Sequence, residues 1–248
     1  MEPLIGIMGA FKEELEDIRR EMKIEDRSTF SEVEFIQGNF VGKEVVLVLS
    51  GVGEEKASRV VDSLLGNFSL RALICLGIAG ALHPTLDVGD IVIGKRIFSQ
   101  SWVQQSLSSH EGLVEAAVHA CDRLRYRFFL GDLLTVPRII ASSAEKKEIY
   151  QDTRALAVEM ETATVARRAA QKKIPFLALR SISDGADYTF KIDISQITDA
   201  HGELNPRKVL RYLIRHPSSL GAFLQMKRNV TKATERLGKL MQSLVMEI

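Results

Sequence analysis

The sequence predicts an α/β fold in which a central, mixed and mostly parallel sheet is flanked by helices, giving three layers. Short apolar runs bounded by glycine recur along the chain, and stretches with apolar residues at helical spacing lie between them. Strands that alternate with helices are joined by crossovers, which makes neighbouring strands parallel and covers both faces of the sheet. A length of 248 residues suits one large domain. We predict a single domain over residues 1–248, with a helical C-terminal extension from about residue 205.

The order of the predicted elements supports this fold. Apolar runs or alternating patterns predict strands over residues 4–8, 33–40, 45–49, 72–76, 90–98, 128–136, 155–159 and 176–182. Helical spacing predicts helices over residues 11–22, 55–65, 112–124, 144–149, 161–172, 209–214 and 219–245, with Pro217 separating the last two. The small residues 77–80 predict a turn, and the polar stretch 184–203 predicts a loop that acts as a lid.

Composition favours a small-molecule partner. The formal net charge is +1, which gives no general attraction to nucleic acid or to an anionic membrane. The longest apolar run, 72–82, is too short to span a bilayer, so we expect no stable membrane insertion. The segment 205–239 is locally basic, but its interleaved apolar residues indicate a solvated helix face. Cys75 lies in a predicted buried strand, which indicates a reduced thiol in the cytoplasm.

Acidic or glycine-rich segments follow several predicted strands, where ligands bind in open α/β sheets. Glu14 lies in the first turn of a predicted helix, where the helix dipole favours an ionised carboxylate that could act as a base or hold a water molecule. Residues 77–90 are rich in small side chains and would let a planar ligand or an anion approach the backbone. Each motif alone favours a structural role, as an acidic helix start or a packing turn.

Two further acidic segments end strands. Glu159 ends the predicted strand 155–159 and Glu161 follows it, and a carboxylate at position 161 could accept two hydroxyl hydrogen bonds from a sugar. Asp184 ends the most apolar strand, where partial burial would raise its pKa and make it a general acid. An Asp-Gly turn is the structural alternative.

At these residues the chain resembles the purine nucleoside phosphorylase superfamily, and most closely its 5′-methylthioadenosine/S-adenosylhomocysteine nucleosidase branch. The resemblance spans nearly the whole sequence. The motifs that carry it, in the family's order, are GIMGAFKEEL, SGVGEEKAS, GIAGALHPTLDVGDIVI, AVEMETATVA and RSISDGAD. It implies hydrolysis of the N-glycosidic bond of a purine nucleoside, a 5′-substituted adenosine, with release of adenine and without a metal or organic cofactor. It also implies a homodimer or a higher homo-oligomer.

The resemblance assigns roles to individual residues. Glu14 matches the glutamate that positions the attacking water, and Asp184 matches the aspartate that protonates purine N7. Met160 and Glu161 match residues that hold the ribose. The remaining positions matched to the binding site are Val52, Ile78, Ala79, Gly80, Ile139, Ile140, Glu159 and Arg180.

Several departures leave alternatives open. Ile78 replaces a hydroxyl that helps phosphorylases to bind phosphate, yet Arg59, Arg138 and Arg180 remain possible phosphate ligands. Phosphorolysis to ribose 1-phosphate, with phosphate as co-substrate, and a catalytically silent nucleoside-binding protein are therefore the alternatives. Ile139 replaces a phenylalanine, which weakens stacking on the base, and the segment 99–111 is short. The segment LLTVPRIIASSAEK resembles hopanoid-associated nucleosidase and phosphorylase-like proteins, which implies a large apolar 5′ group.

Overall fold

The computed structural model describes residues 3–101, 106–192, 196–198 and 205–248. Its strands are β1 Leu4–Gly9, β2 Lys23–Phe30, β3 Val33–Phe40, β4 Lys43–Leu49, β5 Leu70–Ala81, β6 Ile91–Ser99, β7 Leu107–Ser108, β8 Phe128–Thr135, β9 Ala157–Glu159 and β10 Phe176–Asp184. Its helices are α1 Lys12–Glu21, α2 Glu54–Asn67, α3 Glu111–Arg123, α4 Ser143–Thr153, α5 Thr162–Gln171, α6 Pro206–Arg215 and α7 Leu220–Val245, with a 3₁₀ turn at Pro217–Ser219.

The predicted mixed sheet flanked by helices is confirmed. The strands form the order β10-β6-β8-β9-β5-β1-β4-β3-β2, and β10 also pairs with β5. This additional pairing closes the half of the sheet that contains the strand ends carrying the acidic residues. Among the described strands, parallel and antiparallel pairs are equal in number, so the sheet is not mostly parallel as the sequence predicted.

Helices cover both faces of the sheet. Apolar side chains of α1, α3 and α7 form one core cluster with the sheet, including Ile18, Ala117 and Leu240. Side chains of α2 and α5, including Val61 and Val165, pack in a second cluster on the opposite face. The central strands are buried on both faces, which explains their continuous apolar runs in the sequence.

One strand was not predicted, and one predicted turn was wrong. The polar strand β2 was not predicted, because seven of its eight residues are exposed and it carries no apolar alternation. The predicted turn at residues 77–80 belongs to β5, which continues to Ala81 and pairs with β10 over this segment. The small residues there permit the close approach of acidic side chains, as the site geometry shows, and do not turn the chain.

The C-terminal helix α7 has two distinct halves. Its second half is part of the core, with Leu237, Leu240, Met241 and Leu244 completely buried. Its first half, up to Lys232, contains no buried residue. Part of the predicted lid, residues 193–195 and 199–203, lies outside the described residues, as do residues 102–105 of the short segment 99–111. Within the described ranges, no helix combines the length and apolar character needed to cross a membrane.

Candidate active site

Glu14 is a buried carboxylate held by backbone amides. It lies in the first turn of α1, and its side chain is only 2% exposed. One carboxylate oxygen, Oε2, accepts hydrogen bonds from the N–H groups of Ala10 (2.6 Å) and Phe11 (3.1 Å), and Oε1 accepts from Ile78 N–H (2.8 Å). Burial raises the pKa of Glu14, and these N–H donors and the positive charge of Arg180 oppose that rise.

Gly77 makes this arrangement possible. A Cβ atom at position 77 would lie 2.8 Å from Oε1 of Glu14, closer than two such atoms can approach. Only glycine therefore lets β5 and the N-terminus of α1 share one carboxylate. The same strand approaches Asp184 three residues later, where a Cβ at Gly80 would lie 3.0 Å from Asp184 Oδ2.

Glu159 and Arg180 form a buried ionic cluster beneath the site. Arg180 Nη2 lies 2.8 Å from Glu159 Oε2, and both side chains are almost completely buried. Glu159 also accepts hydrogen bonds from the hydroxyls of Thr135 and Thr162. Burial alone would raise the pKa of Glu159, but Arg180 and the two hydroxyls outweigh it and lower that pKa. Glu159 is therefore an anion at neutral pH and neutralises Arg180.

Glu161 behaves differently from Glu159, although only one residue separates them. Its Oε1 accepts a hydrogen bond from Gly53 N–H at 2.8 Å, in the loop that precedes α2. Burial and the negative charge of Glu159 raise the pKa of Glu161 to about 8. At neutral pH one carboxyl of this pair is thus charged and the other is protonated.

This proton leads to a prediction about stability. Because the folded state holds a proton on Glu161 that the unfolded chain loses near its ordinary pKa, wild-type stability declines as the pH rises from about 4.5 through about 8. Glu161→Gln keeps an acceptor for Gly53 but has no charge to bury. We expect the variant to gain on the order of a few kcal/mol over wild type between about pH 5 and about pH 9.

Urea unfolding of wild type and Glu161→Gln across this pH range measures the difference. Glu13→Gln is the matched control, because Glu13 is exposed and should show a constant difference from wild type. A constant stability difference for Glu161→Gln as well would contradict the assignment of the proton to Glu161.

Glu14 and Glu161 line the same small cavity. Its walls also include residues 9–11 and 75–78, together with Ser50 and Arg180. Its volume is about 20 Å³, and a water molecule needs about 10–15 Å³. Burial raises the pKa of the Cys75 thiol to about 11, so the Cys75 side chain in the cavity wall carries no charge at neutral pH. Two carboxyl groups and backbone N–H donors therefore surround a space that matches a single water.

Asp184 is buried at the end of β10 and is paired with a lysine. Lys146 of α4 is completely buried and donates hydrogen bonds from Nζ to Asp184 Oδ2 and to the carbonyl oxygen of Gly185 (2.8 Å). The hydroxyl of Ser183 donates to Asp184 Oδ1 at 2.7 Å. Asp184 is not part of the wall of the small cavity. It approaches β5 at Gly80, three residues beyond the point where Glu14 approaches it.

The other residues assigned from the sequence fall into three groups. Val52 and Met160 are half-buried, next to Gly53 and Glu161 respectively. Ala79 is packed in the core cluster that contains α2 and α5, and Ile140 is packed with Leu134 and Val136, so neither side chain lines the small cavity. Ile139 is 43% exposed beside Ile140, on the segment that follows β8.

Comparison with known proteins decides the family. A family model described as the phosphorylase superfamily matches residues 4–215. The chain belongs to the phosphorylase superfamily. Similar proteins include the 5′-methylthioadenosine/S-adenosylhomocysteine nucleosidases of Staphylococcus epidermidis, 29% identical over 79% of this chain and 92% of the relative, and of Bacillus licheniformis, 29% identical over 85% and 98%.

Solved structures of superfamily members share the fold. The nucleosidase of Neisseria meningitidis, in complex with methylthio-immucillin-A, aligns with a TM-score of 0.80 and 24% identity over 99% of both chains. The futalosine hydrolase of Helicobacter pylori aligns with a TM-score of 0.79 and 20% identity over 99% of this chain and 98% of that one.

Lys146, the buried partner of Asp184, was not identified from the sequence. It is the fourth residue of α4, among other charged residues, and no motif distinguishes it. The only available signal was indirect, because the segment LLTVPRIIASSAEK ends at this lysine.

Within the described residues, no cluster of three or more His, Cys, Asp or Glu side chains is arranged to hold a metal ion.

Proposed function

We propose that this chain is a nucleosidase that hydrolyses the N-glycosidic bond of a 5′-substituted adenosine and releases adenine. The observation that carries the proposal is the buried carboxylate of Glu14 at a cavity the size of one water, beside Glu161. Nucleosidases among the relatives support the same reaction.

Glu14 positions the nucleophile. Its two oxygens are anchored by the N–H groups of Ala10, Phe11 and Ile78, so the carboxylate is fixed before substrate binds. Oε2 already accepts two of these hydrogen bonds, but Oε1 accepts only one and has a second lone pair that can accept a hydrogen bond from water. A water held in this way is oriented towards the ribose C1′ atom and partly deprotonated as the bond to the base breaks.

Glu161 binds the ribose. The protonated carboxyl both donates and accepts, so it can satisfy the hydroxyl groups of a sugar, while Gly53 N–H fixes its orientation. The ionic cluster of Glu159 and Arg180 holds the strand end from which Glu161 projects. Glu159 Oε2 accepts hydrogen bonds from the backbone N–H groups of Glu161 (3.0 Å) and Thr162 (2.8 Å).

Asp184 and Lys146 assist the departure of the base. As the glycosidic bond breaks, negative charge develops on the purine, and protonation at N7 neutralises it. Asp184 would contact N7 and transfer to it a proton that the buried ammonium of Lys146 gives up through its hydrogen bond to Asp184 Oδ2, which leaves Lys146 neutral. Ser183 Oγ fixes the other carboxylate oxygen, which orients the group.

The arginines support water over phosphate as the nucleophile. Arg180 is neutralised by Glu159 and also donates to the carbonyl oxygens of Cys75 (3.0 Å) and Leu179 (2.8 Å). Arg138 is paired with Glu145 at 2.5 Å, and Arg59 is paired with Glu55 at 3.1 Å. A phosphate dianion would compete with these carboxylate partners for the arginines, and Ile78 offers it no side-chain hydroxyl.

The proposed reaction also bears on cofactors, the 5′ substituent, the oligomeric state and the location of the protein. We propose that the reaction needs neither a metal nor an organic cofactor, because carboxyl groups and backbone N–H donors supply the required charges. The resemblance of the segment LLTVPRIIASSAEK to hopanoid-associated nucleosidase and phosphorylase-like proteins supports an apolar 5′ substituent. We also expect a homodimer or a higher homo-oligomer in the cytoplasm.

A panel of adenosines with hydroxyl, methylthio, homocysteinyl and long alkyl groups at the 5′ position tests the proposal. Free adenine is measured with and without phosphate, and the sugar product is identified. We expect adenine and free ribose product in the absence of phosphate, with faster turnover for apolar 5′ groups. A strict phosphate requirement with ribose 1-phosphate as product would establish phosphorolysis instead. Adenine binding without cleavage would establish a silent binding protein.

A further inference from the structure

The helical segment from Asn205 to Thr234, here called the basic arm, concentrates positive charge. It contains no Asp or Glu and seven basic residues: Arg207, Lys208, Arg211, Arg215, Lys227, Arg228 and Lys232. The whole chain has a net charge of +1, so the rest of the molecule carries −6 against +7 on the arm. The overall charge conceals this separation, although the sequence shows that the segment is locally basic.

The basic arm also exposes large apolar side chains. Leu210 and Ile214 on α6 are 62% and 72% exposed, and Leu220 and Leu224 on α7 are 49% and 43% exposed. No described side chain from Asn205 to Lys232 is buried. A solvated helix face would place its apolar residues against the body of the protein, so the interpretation as a solvated face is wrong for these four residues.

Apolar and basic side chains share the same faces of the two helices. On α6, Leu210 follows Arg207 by three residues, a spacing that places side chains side by side on a helix. Ile214 follows Arg211 in the same way. On α7, Leu224 is followed by Lys227 and Arg228, three and four residues later. Leucine or isoleucine flanked by exposed cations on one helix face is the pattern of helices that lie in the interface of an anionic bilayer.

We propose that the basic arm binds the surface of a membrane containing anionic phospholipids. Arginine and lysine would contact the headgroup phosphates, while their long side chains let the charged ends stay at the level of the headgroups. Leu210 and Ile214 would enter the boundary between headgroups and acyl chains. This binding is superficial and does not require a helix that spans the bilayer.

Charge favours a membrane over the other occupants. A symmetric contact between two copies through this face would bring two sets of like charges together, which costs energy. Nucleic acid would match the charge, but it would leave four exposed aliphatic side chains without an apolar partner. Proteins that bind single strands without sequence preference use aromatic side chains to stack on bases, and the apolar residues described here are aliphatic.

Co-sedimentation of the full chain with vesicles tests the proposal. One set contains phosphatidylcholine alone, and the other contains phosphatidylcholine and phosphatidylglycerol. We expect binding only to the anionic vesicles, with a decrease as salt is added. Arg211→Gln with Arg215→Gln should weaken binding by about 25-fold, since each basic residue near such a surface contributes about fivefold. Leu210→Ser with Ile214→Ser should weaken it by about tenfold or more.

Matched controls change similar residues outside the basic arm. Arg19→Gln with Arg20→Gln alters two exposed arginines of α1, and Leu130→Ser alters a leucine that is 48% exposed, and neither should reduce binding. Circular dichroism confirms that each variant is folded. The proposal is overturned if the chain does not pellet with anionic vesicles, or if the arm variants bind as wild type does. It is also overturned if Leu210→Ser with Ile214→Ser dissociates an oligomer in analytical ultracentrifugation, because the face would then be a contact between copies of the chain. A nucleic-acid site is indicated instead if duplex DNA competes fully with the vesicles and the same double variant binds both DNA and vesicles as tightly as wild type does.

Discussion

Glu14→Gln is expected to lower kcat for adenine release by roughly two to four orders of magnitude, because it removes the charge that orients and activates the attacking water. The backbone N–H groups of Ala10 and Ile78 point at opposite oxygens of this carboxylate. A glutamine amide would face one of these donors with its own NH₂ group, so stability should also fall by about 1–3 kcal/mol. Adenine release is measured under saturating substrate, and thermal unfolding is measured alongside.

Glu13→Gln is the matched control for this prediction. Glu13 precedes Glu14 in the same helical turn but is exposed, so its variant should retain activity and stability. In wild type, activity should be lost as the pH falls through the raised pKa of Glu14, because protonation removes the required charge. Turnover of Glu14→Gln within tenfold of wild type would exclude Glu14 as the group that holds the nucleophile.

Asp184→Asn should reduce turnover by a similar factor of about two to four orders of magnitude, since the base then leaves without proton transfer at N7. This change also leaves Lys146 buried without its anion. Breaking a buried ion pair by removal of one partner costs about 3–5 kcal/mol, so the variant should be clearly less stable. Loss of activity in this variant alone would therefore not separate chemistry from folding.

A double variant separates the two effects. Asp184→Asn with Lys146→Met removes both charges of the buried pair, and replacing such a pair with uncharged residues is often neutral for stability. We expect most of the lost stability to return while turnover stays low. Asp187→Asn, three residues further along at an exposed position, is the control. Recovery of activity together with stability in the double variant would show that Asp184 has only a structural role.

Much of the fold was predictable because the apolar patterns are strong. The buried strands β1, β4, β5 and β10 and the helices α1, α2 and α5 appear in the sequence as continuous or periodic apolar runs. The exposed strand β2 carries no such pattern, and its place is fixed by pairing with β3. The closing pair β10–β5 joins segments about a hundred residues apart, which local patterns do not report.

The candidate site shows the same division. Glu14 and Glu161 were identified from motifs at strand ends, and the structure brings both to one cavity. The sequence did not distinguish Glu159 from Glu161, because their different pKa shifts depend on Arg180, which lies 21 residues from Glu159 along the chain. Lys146 was missed for the same reason. Its importance comes from burial against Asp184, and an isolated lysine in a polar helix gives no sign of that.

A crystal structure of Glu14→Gln with 5′-methylthioadenosine bound tests the central claim most directly. The proposed mechanism requires the ribose C1′ atom beside residue 14, the ribose hydroxyls on Glu161, and purine N7 within hydrogen-bonding distance of Asp184. A nucleoside bound away from the cavity of Glu14 and Glu161, or a purine ring beyond the reach of Asp184, would contradict it.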